Sequence, residues 1–256
     1  MIGCGQRWLA GCIGMIALNI VGDAGAQSAN PAALVDLELV LAVDASDSID
    51  DGEFRLQIEG IAAAFRNADV HAAIASGKER QIAVTMLVWA DAWSHPESIG
   101  WHLITSSDSA EAFARTVEGH ERQVGGSTGM GEAVAAAVRL IEQNRIMAHR
   151  RVIDVSGDGI ETPRLEQDDV VLMPEARAMA EAAGVVVNGL AIMTEQPSLD
   201  AWYRDNVASG KGAFVMTAND STAFPEAIRR KLVREIESKL SWLDRCRRRE
   251  QGCALR

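Results

Sequence analysis

The chain has 256 residues, 48% of them hydrophobic, with a formal net charge of −11. That length and apolar content suit one large domain with a full core, and no internal repeat or low-complexity tract interrupts it. The charge is uneven: residues 229–256 carry ten Lys/Arg against four Asp/Glu, a local +6 that leaves −17 on the rest. A body this acidic argues against nucleic acid as the main partner, and the basic run reads as a solvated helix face or a contact for a membrane or an acidic partner.

Residues 1–26 have Arg7, an apolar stretch from Trp8 to Val21 and a terminal Ala24-Gly25-Ala26. This is the layout of a secretory signal peptide cleaved before Gln27, so the mature chain is expected in the periplasm or outside the cell. The stretch is short for a membrane span, and no later one is long enough. Leu9-Ala10-Gly11-Cys12 offers a competing reading, a lipoprotein-type site with Cys12 lipidated. Cleavage after Ala26 removes Cys4 and Cys12 and leaves Cys246 and Cys253, which an oxidising compartment would pair. No Cys/His metal spacing is present, and the five histidines are scattered.

Residues 27–36 read as a linker. An apolar strand is expected over 37–43. Asp50 and Glu53 fit a capping box, opening a helix with Phe54, Ile58, Ile61 and Phe65 on one face. Residues 71–78, small and polar, read as a loop. A strand follows over 82–89, a short edge strand over 101–105 and a helix over 108–118. The glycine-rich stretch 124–129 leads into a helix with Met130, Val134, Val138 and Ile141 inward. Then come a strand at 152–155, a helix at 174–183, a strand at 185–192, a helix at 199–207, a strand at 213–216 and a helix at 224–243. Strands alternating with helices predict an α/β fold: a doubly wound, mostly parallel central sheet with helices on both faces.

Three polar clusters stand out. Asp44, Ser46 and Ser48 form Asp-x-Ser-x-Ser directly after the first apolar strand. Thr128 lies in the glycine-rich loop before a helix, and Asp158 follows the strand at 152–155. In a parallel sheet all three converge at the carboxyl edge, where ligands bind in open α/β folds. Each also has an ordinary structural reading. Ser48 or Asp50 would cap the first helix, Thr128 would cap the next, and Asp158-Gly159 would be a turn. As a set they offer carboxylate and hydroxyl oxygens, the donors of a hard cation rather than of zinc.

This pattern resembles the von Willebrand factor A (vWA) domain with its metal-ion-dependent adhesion site (MIDAS). The likeness runs over residues 37–243, with 244–256 left as a basic tail, and extends to an uncharacterised family of exported bacterial proteins with that fold. It implies a Rossmann-like sheet and a site in which Ser46, Ser48 and Thr128 give hydroxyl oxygens. Asp44 and Asp158 would act directly or through water on Mg²⁺ or Mn²⁺. A further position would accept a carboxylate from a protein partner. Two features depart from the pattern. Gly157 separates Ser156 from Asp158, leaving Asp154 as a rival third-motif carboxylate, and Asp47 adds a negative charge between the two serines. Glu161 is a further rim candidate. The implied protein is a non-enzymatic binding module. The alternative is a metal-dependent hydrolase of a phosphate or similar anion, with Asp154 or Asp47 as base.

Overall fold

The computed structural model describes residues 33–162, 170–194 and 196–237. Its sheet is built on β2 (Leu37–Asp44), in which every residue is buried. Such a strand must be covered on both faces, which is why its sequence shows a run of aliphatics rather than alternation. A two-residue strand, β1 (Leu34–Val35), precedes it. β3 (Ile82–Trp89), also buried throughout, pairs in parallel with one side of β2. Beyond it lie β4 (Glu97–Ser98) and β5 (His102–Ile104), both antiparallel to β3. β6 (Met147–Ala148) pairs in parallel with β1, so the chain already enters a small sheet before residue 37. β7 (Arg151–Gly157) flanks β2 on its other side, and β8 (Val186–Ile192) and β9 (Val215–Ala218) continue the parallel sheet outward.

Helices cover both faces. α1 (Asp51–Arg66), α2 (Ala68–Ala75), α3 (Ser107–Glu118) and α7 (Phe224–Ile236) pack on one, around Leu39, Leu41, Ile58, Phe65, Phe113 and Leu232. α4 (Met130–Gln143), α5 (Met173–Ala182) and α6 (Leu199–Asn206) pack on the other, around Val40, Ala42, Val134, Met173 and Tyr203. This is the expected α/β architecture. Across the parallel strands the order is β3-β2-β7-β8-β9. β2 and β7 are therefore neighbours whose connections leave to opposite faces. Their carboxyl ends diverge and open a crevice, the topological switch point of the sheet.

The expected capping box closes α1: Asp50 Oδ1 accepts from the Glu53 N–H at 2.8 Å, and Glu53 Oε2 from the Asp50 N–H at 3.0 Å. Residues 71–78 differ from expectation, because most of that stretch belongs to α2. Asn67 Oδ1 caps this helix through the Asp69 N–H at 2.8 Å, and Val70, Ala73 and Ile74 bury one face. An apolar stripe of only three residues in a small, polar segment gives a weak periodic signal. The last strand is displaced by two residues, to Val215–Ala218. The Phe214 N–H goes to Asn188 Oδ1 at 2.9 Å instead of to a strand partner. The signal peptide, most of the linker, Cys12, Cys246, Cys253 and the basic tail lie outside the described residues. Among the described residues no helix is long and apolar enough to cross a membrane.

Candidate metal centre at the carboxyl edge of the sheet

β2 ends at Asp44, fully buried at the switch point, and the chain turns at once. The Ser46 N–H folds back onto Asp44 Oδ1 at 2.8 Å, which fixes the turn and carries the Ser46 hydroxyl into the crevice. Ser46 Oγ and Ser48 Oγ are 3.1 Å apart, and the Ser48 hydroxyl donates to Asp158 Oδ1 at 2.8 Å. Asp158 follows the end of β7, and its Oδ2 accepts from Thr194 Oγ1 at 3.4 Å. The first and third motifs are thus joined by direct hydrogen bonds across the switch point. Asp50, not Ser48, caps α1, so the Ser48 hydroxyl is left for this contact.

Thr128 arrives on the loop before α4. Gly129 is the N-cap of that helix and no side chain caps it, so the Thr128 hydroxyl is not consumed as a cap. The residue is 7% exposed, and a Cβ built on Gly159 would lie 3.8 Å from Thr128 Oγ1, which sets that hydroxyl beside the turn after Asp158. Its backbone is pinned by Thr162, whose N–H donates to the Thr128 carbonyl at 3.0 Å. Two carboxylates hold the rest of the loop. Asp47, exposed at the rim, accepts the Gly126 N–H at 2.7 Å and donates its own N–H to the Gly126 carbonyl at 2.8 Å. Asp91, just past β3, accepts from Ser127 Oγ at 2.8 Å. Glu161 is half-buried; it takes the Gly131 N–H at 2.8 Å and the Met173 N–H at 3.0 Å, tying together the first turns of α4 and α5.

Asp44 is the electrostatic centre. Its Oδ2 is buried and has no hydrogen-bond partner among the described residues. Burial pushes its carboxyl up to about 7; hydrogen bonding from the Ser46 N–H and hydroxyl and from the Asp158 backbone opposes the rise, and the Asp158 charge adds to it. Among the described residues no Lys or Arg figures in the groups acting on it. A bare carboxylate in low dielectric is unfavourable unless a cation or a proton offsets it. Gly157, the departure from the family pattern, has a steric cause. A Cβ there would come within 2.6 Å of Asp44 Oδ2 and 2.8 Å of the Tyr203 hydroxyl.

Asp154 lies elsewhere. It pairs with Leu41 in the middle of β7 and forms an ion pair with Lys231 of α7, which also bonds Glu235 Oε1 at 2.6 Å. Asn188 Nδ2 donates to the same Glu235 oxygen at 3.1 Å. This buried cluster faces α7, one layer below Ser156 and away from the carboxyl edge.

Sequence reasoning missed Asp91, Gln57 and Tyr203. Gln57 Nε2 donates to the Asp44 carbonyl at 3.0 Å, and its Oε1 accepts from Ser156 Oγ at 3.4 Å. Asp91 carried a usable signal, since it stands two residues past a buried parallel strand on the ligand-binding edge. Gln57 and Tyr203 carried none, because each reaches the site from a helix.

The donors fit a small hard cation. Two carboxylates and the hydroxyls of Ser46 and Ser48 meet at one crevice, with the Thr128 hydroxyl beside the turn at Gly159, and among the described residues Asp44 Oδ2 is buried without a hydrogen-bond partner. Oxygen donors of this kind suit octahedral Mg²⁺ or Mn²⁺. Among the described residues no group of three or more His, Cys, Asp or Glu is placed to hold a metal, so hydroxyls must complete any cation site here.

The architecture is that of a vWA-like domain. Solved structures similar to it include the PilB minor pilin from Streptococcus sanguinis, at 12% identity over 79% of this chain and 62% of that chain, TM-score 0.56. The pilus adhesin SpaC from Lactobacillus rhamnosus GG matches at 11% over 79% and 31%, TM-score 0.54. Proximal thread matrix protein 1 from the mussel byssus, solved with a zinc-occupied MIDAS motif, matches at 13% over 79% and 48%, TM-score 0.54. These likenesses show the fold, and the chain spans 31% to 62% of the length of those proteins. No curated protein matches the sequence. The chain belongs to the family described as "Protein of unknown function (DUF1194)", matched over residues 34–240.

Proposed function

We propose that this vWA-like domain is an exported binding module. It holds Mg²⁺ or Mn²⁺ through Asp44, Ser46, Ser48, Thr128 and Asp158, and the cation grips a carboxylate of a protein partner. The carrying observation is the unpartnered Asp44 Oδ2, buried where the Ser46 and Ser48 hydroxyls and Asp158 meet. Two carboxylates roughly neutralise a divalent ion, so a position left toward solvent retains attraction for an anionic side chain. The zinc-occupied MIDAS of the mussel matrix protein supports a divalent cation as ligand class. The donor chemistry favours Mg²⁺ or Mn²⁺ over zinc.

A binding role is favoured over hydrolysis by how the two candidate bases are engaged. Asp154 is ion-paired to Lys231 in the interior, and Asp47 Oδ1 is bonded to the loop at Gly126. Asp154 is thus withheld from a water at the crevice, and Asp47 is committed through one oxygen to holding the loop.

Calorimetric Mn²⁺ titration tests the site. Wild type should bind one ion; Asp158→Ala should lose binding, and Asp154→Ala, if it folds, should bind as wild type does. The reverse order for the two aspartates would reassign the third motif, and no binding by wild type at millimolar metal would end the cation reading. Capture of partners from periplasmic extract with and without EDTA tests the docking role.

A further inference from the structure

Tyr203 is the one tyrosine in the chain, and its placement is unusual. It projects from α6 across β8 and β7. A Cβ on Gly189 would meet its Cδ1 at 2.6 Å, and a Cβ on Gly157 would meet its hydroxyl at 2.8 Å. Two glycines on adjacent strands therefore clear a channel for the ring. The side chain is 0% exposed, and among the described residues its hydroxyl has no hydrogen-bond partner. The same point above Gly157 that lies 2.8 Å from this hydroxyl lies 2.6 Å from Asp44 Oδ2, another buried oxygen without a hydrogen-bond partner among the described residues. A donor without an acceptor and an acceptor without a donor thus flank one position. Packing explains the ring but not the oxygen, because phenylalanine fills the same volume without burying a hydroxyl.

We propose that Tyr203 is a positioning residue of the cation site. Its hydroxyl donates to Asp44 Oδ2, directly or through one water, and so fixes how the Asp44 carboxylate is turned toward the cation. This rests on the cation reading above, and adds a group from α6 to a site otherwise built on the strand ends and the glycine-rich loop. Such partners hold a ligating carboxylate in one orientation, and their loss lowers metal affinity about 10–100-fold.

The test compares wild type with Tyr203→Phe, which keeps the ring and removes only the oxygen. In Mn²⁺ titrations Tyr203→Phe should bind at least about tenfold more weakly, with circular dichroism unchanged. A second measurement needs no metal. In EDTA, the shift in denaturation midpoint caused by Tyr203→Phe is measured in the wild-type and Asp44→Ala backgrounds. A hydrogen bond makes the two shifts differ: the change destabilises wild type and is neutral or stabilising once Asp44 is gone. If Tyr203→Phe binds Mn²⁺ like wild type, the positioning role is overturned while the cation reading stands. If wild type binds no Mn²⁺, the cation reading fails, and the paired backgrounds decide the hydrogen bond alone. Different shifts support it and equal shifts overturn it.

Discussion

The Ser48 hydroxyl donates to Asp158 Oδ1 across 2.8 Å, joining residues 110 positions apart. This bond spans the ends of β2 and β7 and makes one site of two strand termini. It is part-buried, so its own share of stability is modest, about 1 kcal/mol. Ser48→Ala should leave folding nearly intact while weakening Mn²⁺ binding by at least about tenfold, since it removes a donor oxygen and frees Asp158 to reorient. Calorimetry beside a thermal melt in EDTA checks both halves. A large fall in the metal-free melt with unchanged affinity would make Ser48 purely structural.

The Asp44 carboxyl predicts a pH dependence without metal. Its folded value is raised from 3.8 to about 7 by burial, so between those limits the folded state binds the extra proton. Its contribution is fully present below about pH 4 and is lost as pH rises through about 7, on the order of 4 kcal/mol in all. Exposed glutamates paired with arginine, such as Glu111 with Arg66, are held low and oppose this on the acid side. Denaturation in EDTA should therefore show falling stability from about pH 5 to pH 7.5. Saturating Mg²⁺ should reduce that fall, because the cation replaces the proton at Asp44, and Asp44→Asn should reduce it likewise; the remainder belongs to Asp154, whose carboxyl is also raised to about 7 by burial.

Lys231 sits between Asp154 and Glu235 with none of its surface exposed. Lys231→Met should cost about 3–5 kcal/mol at neutral pH, because two buried carboxylates lose their counter-charge. Chemical denaturation measures the loss. The cluster lies away from the carboxyl edge, so the folded fraction of this variant should bind Mn²⁺ with wild-type affinity.

Gly157 permits the approach of Asp44 and Tyr203. Its substitution by alanine would place a Cβ inside contact distance of two buried oxygens at once. Gly157→Ala should destabilise by about 1–3 kcal/mol, as overpacking does, and should also disturb the cation site. Gly159→Ala should be far milder, since a Cβ there meets only Thr128 Oγ1 at 3.8 Å. The pair of melts and Mn²⁺ titrations separates a local clash from a general intolerance of side chains in this turn.

Export is tested at the chain ends. Mass spectrometry of protein from the envelope fraction should find a mature form starting at Gln27, and thiol labelling of the unreduced, denatured protein should find Cys246 and Cys253 paired. A lipidated Cys12 at the mature terminus would replace soluble export with a membrane anchor.

The sequence by itself determined the frame. Short unbroken aliphatic runs rich in valine, isoleucine and leucine suit strands buried on both faces, and helical periodicity between them sets the α/β alternation. The polar residues that end those runs then fall toward one edge; that Asp44, Ser46, Ser48, Thr128 and Asp158 act as one set is what the vWA resemblance implies, and the spacing alone left each with an ordinary cap or turn reading. The tertiary structure decided what spacing cannot encode. Asp154 and Asp158 have the same chemistry four residues apart, and only the packing of α7 sends Asp154 to Lys231 while the strand end brings Asp158 to Ser48. Gly157 looked like an insertion until the crevice gave it two oxygens to avoid. Tyr203 left no trace in any motif, because contacts between a helix and the end of a distant strand are set by how layers stack and not by local periodicity.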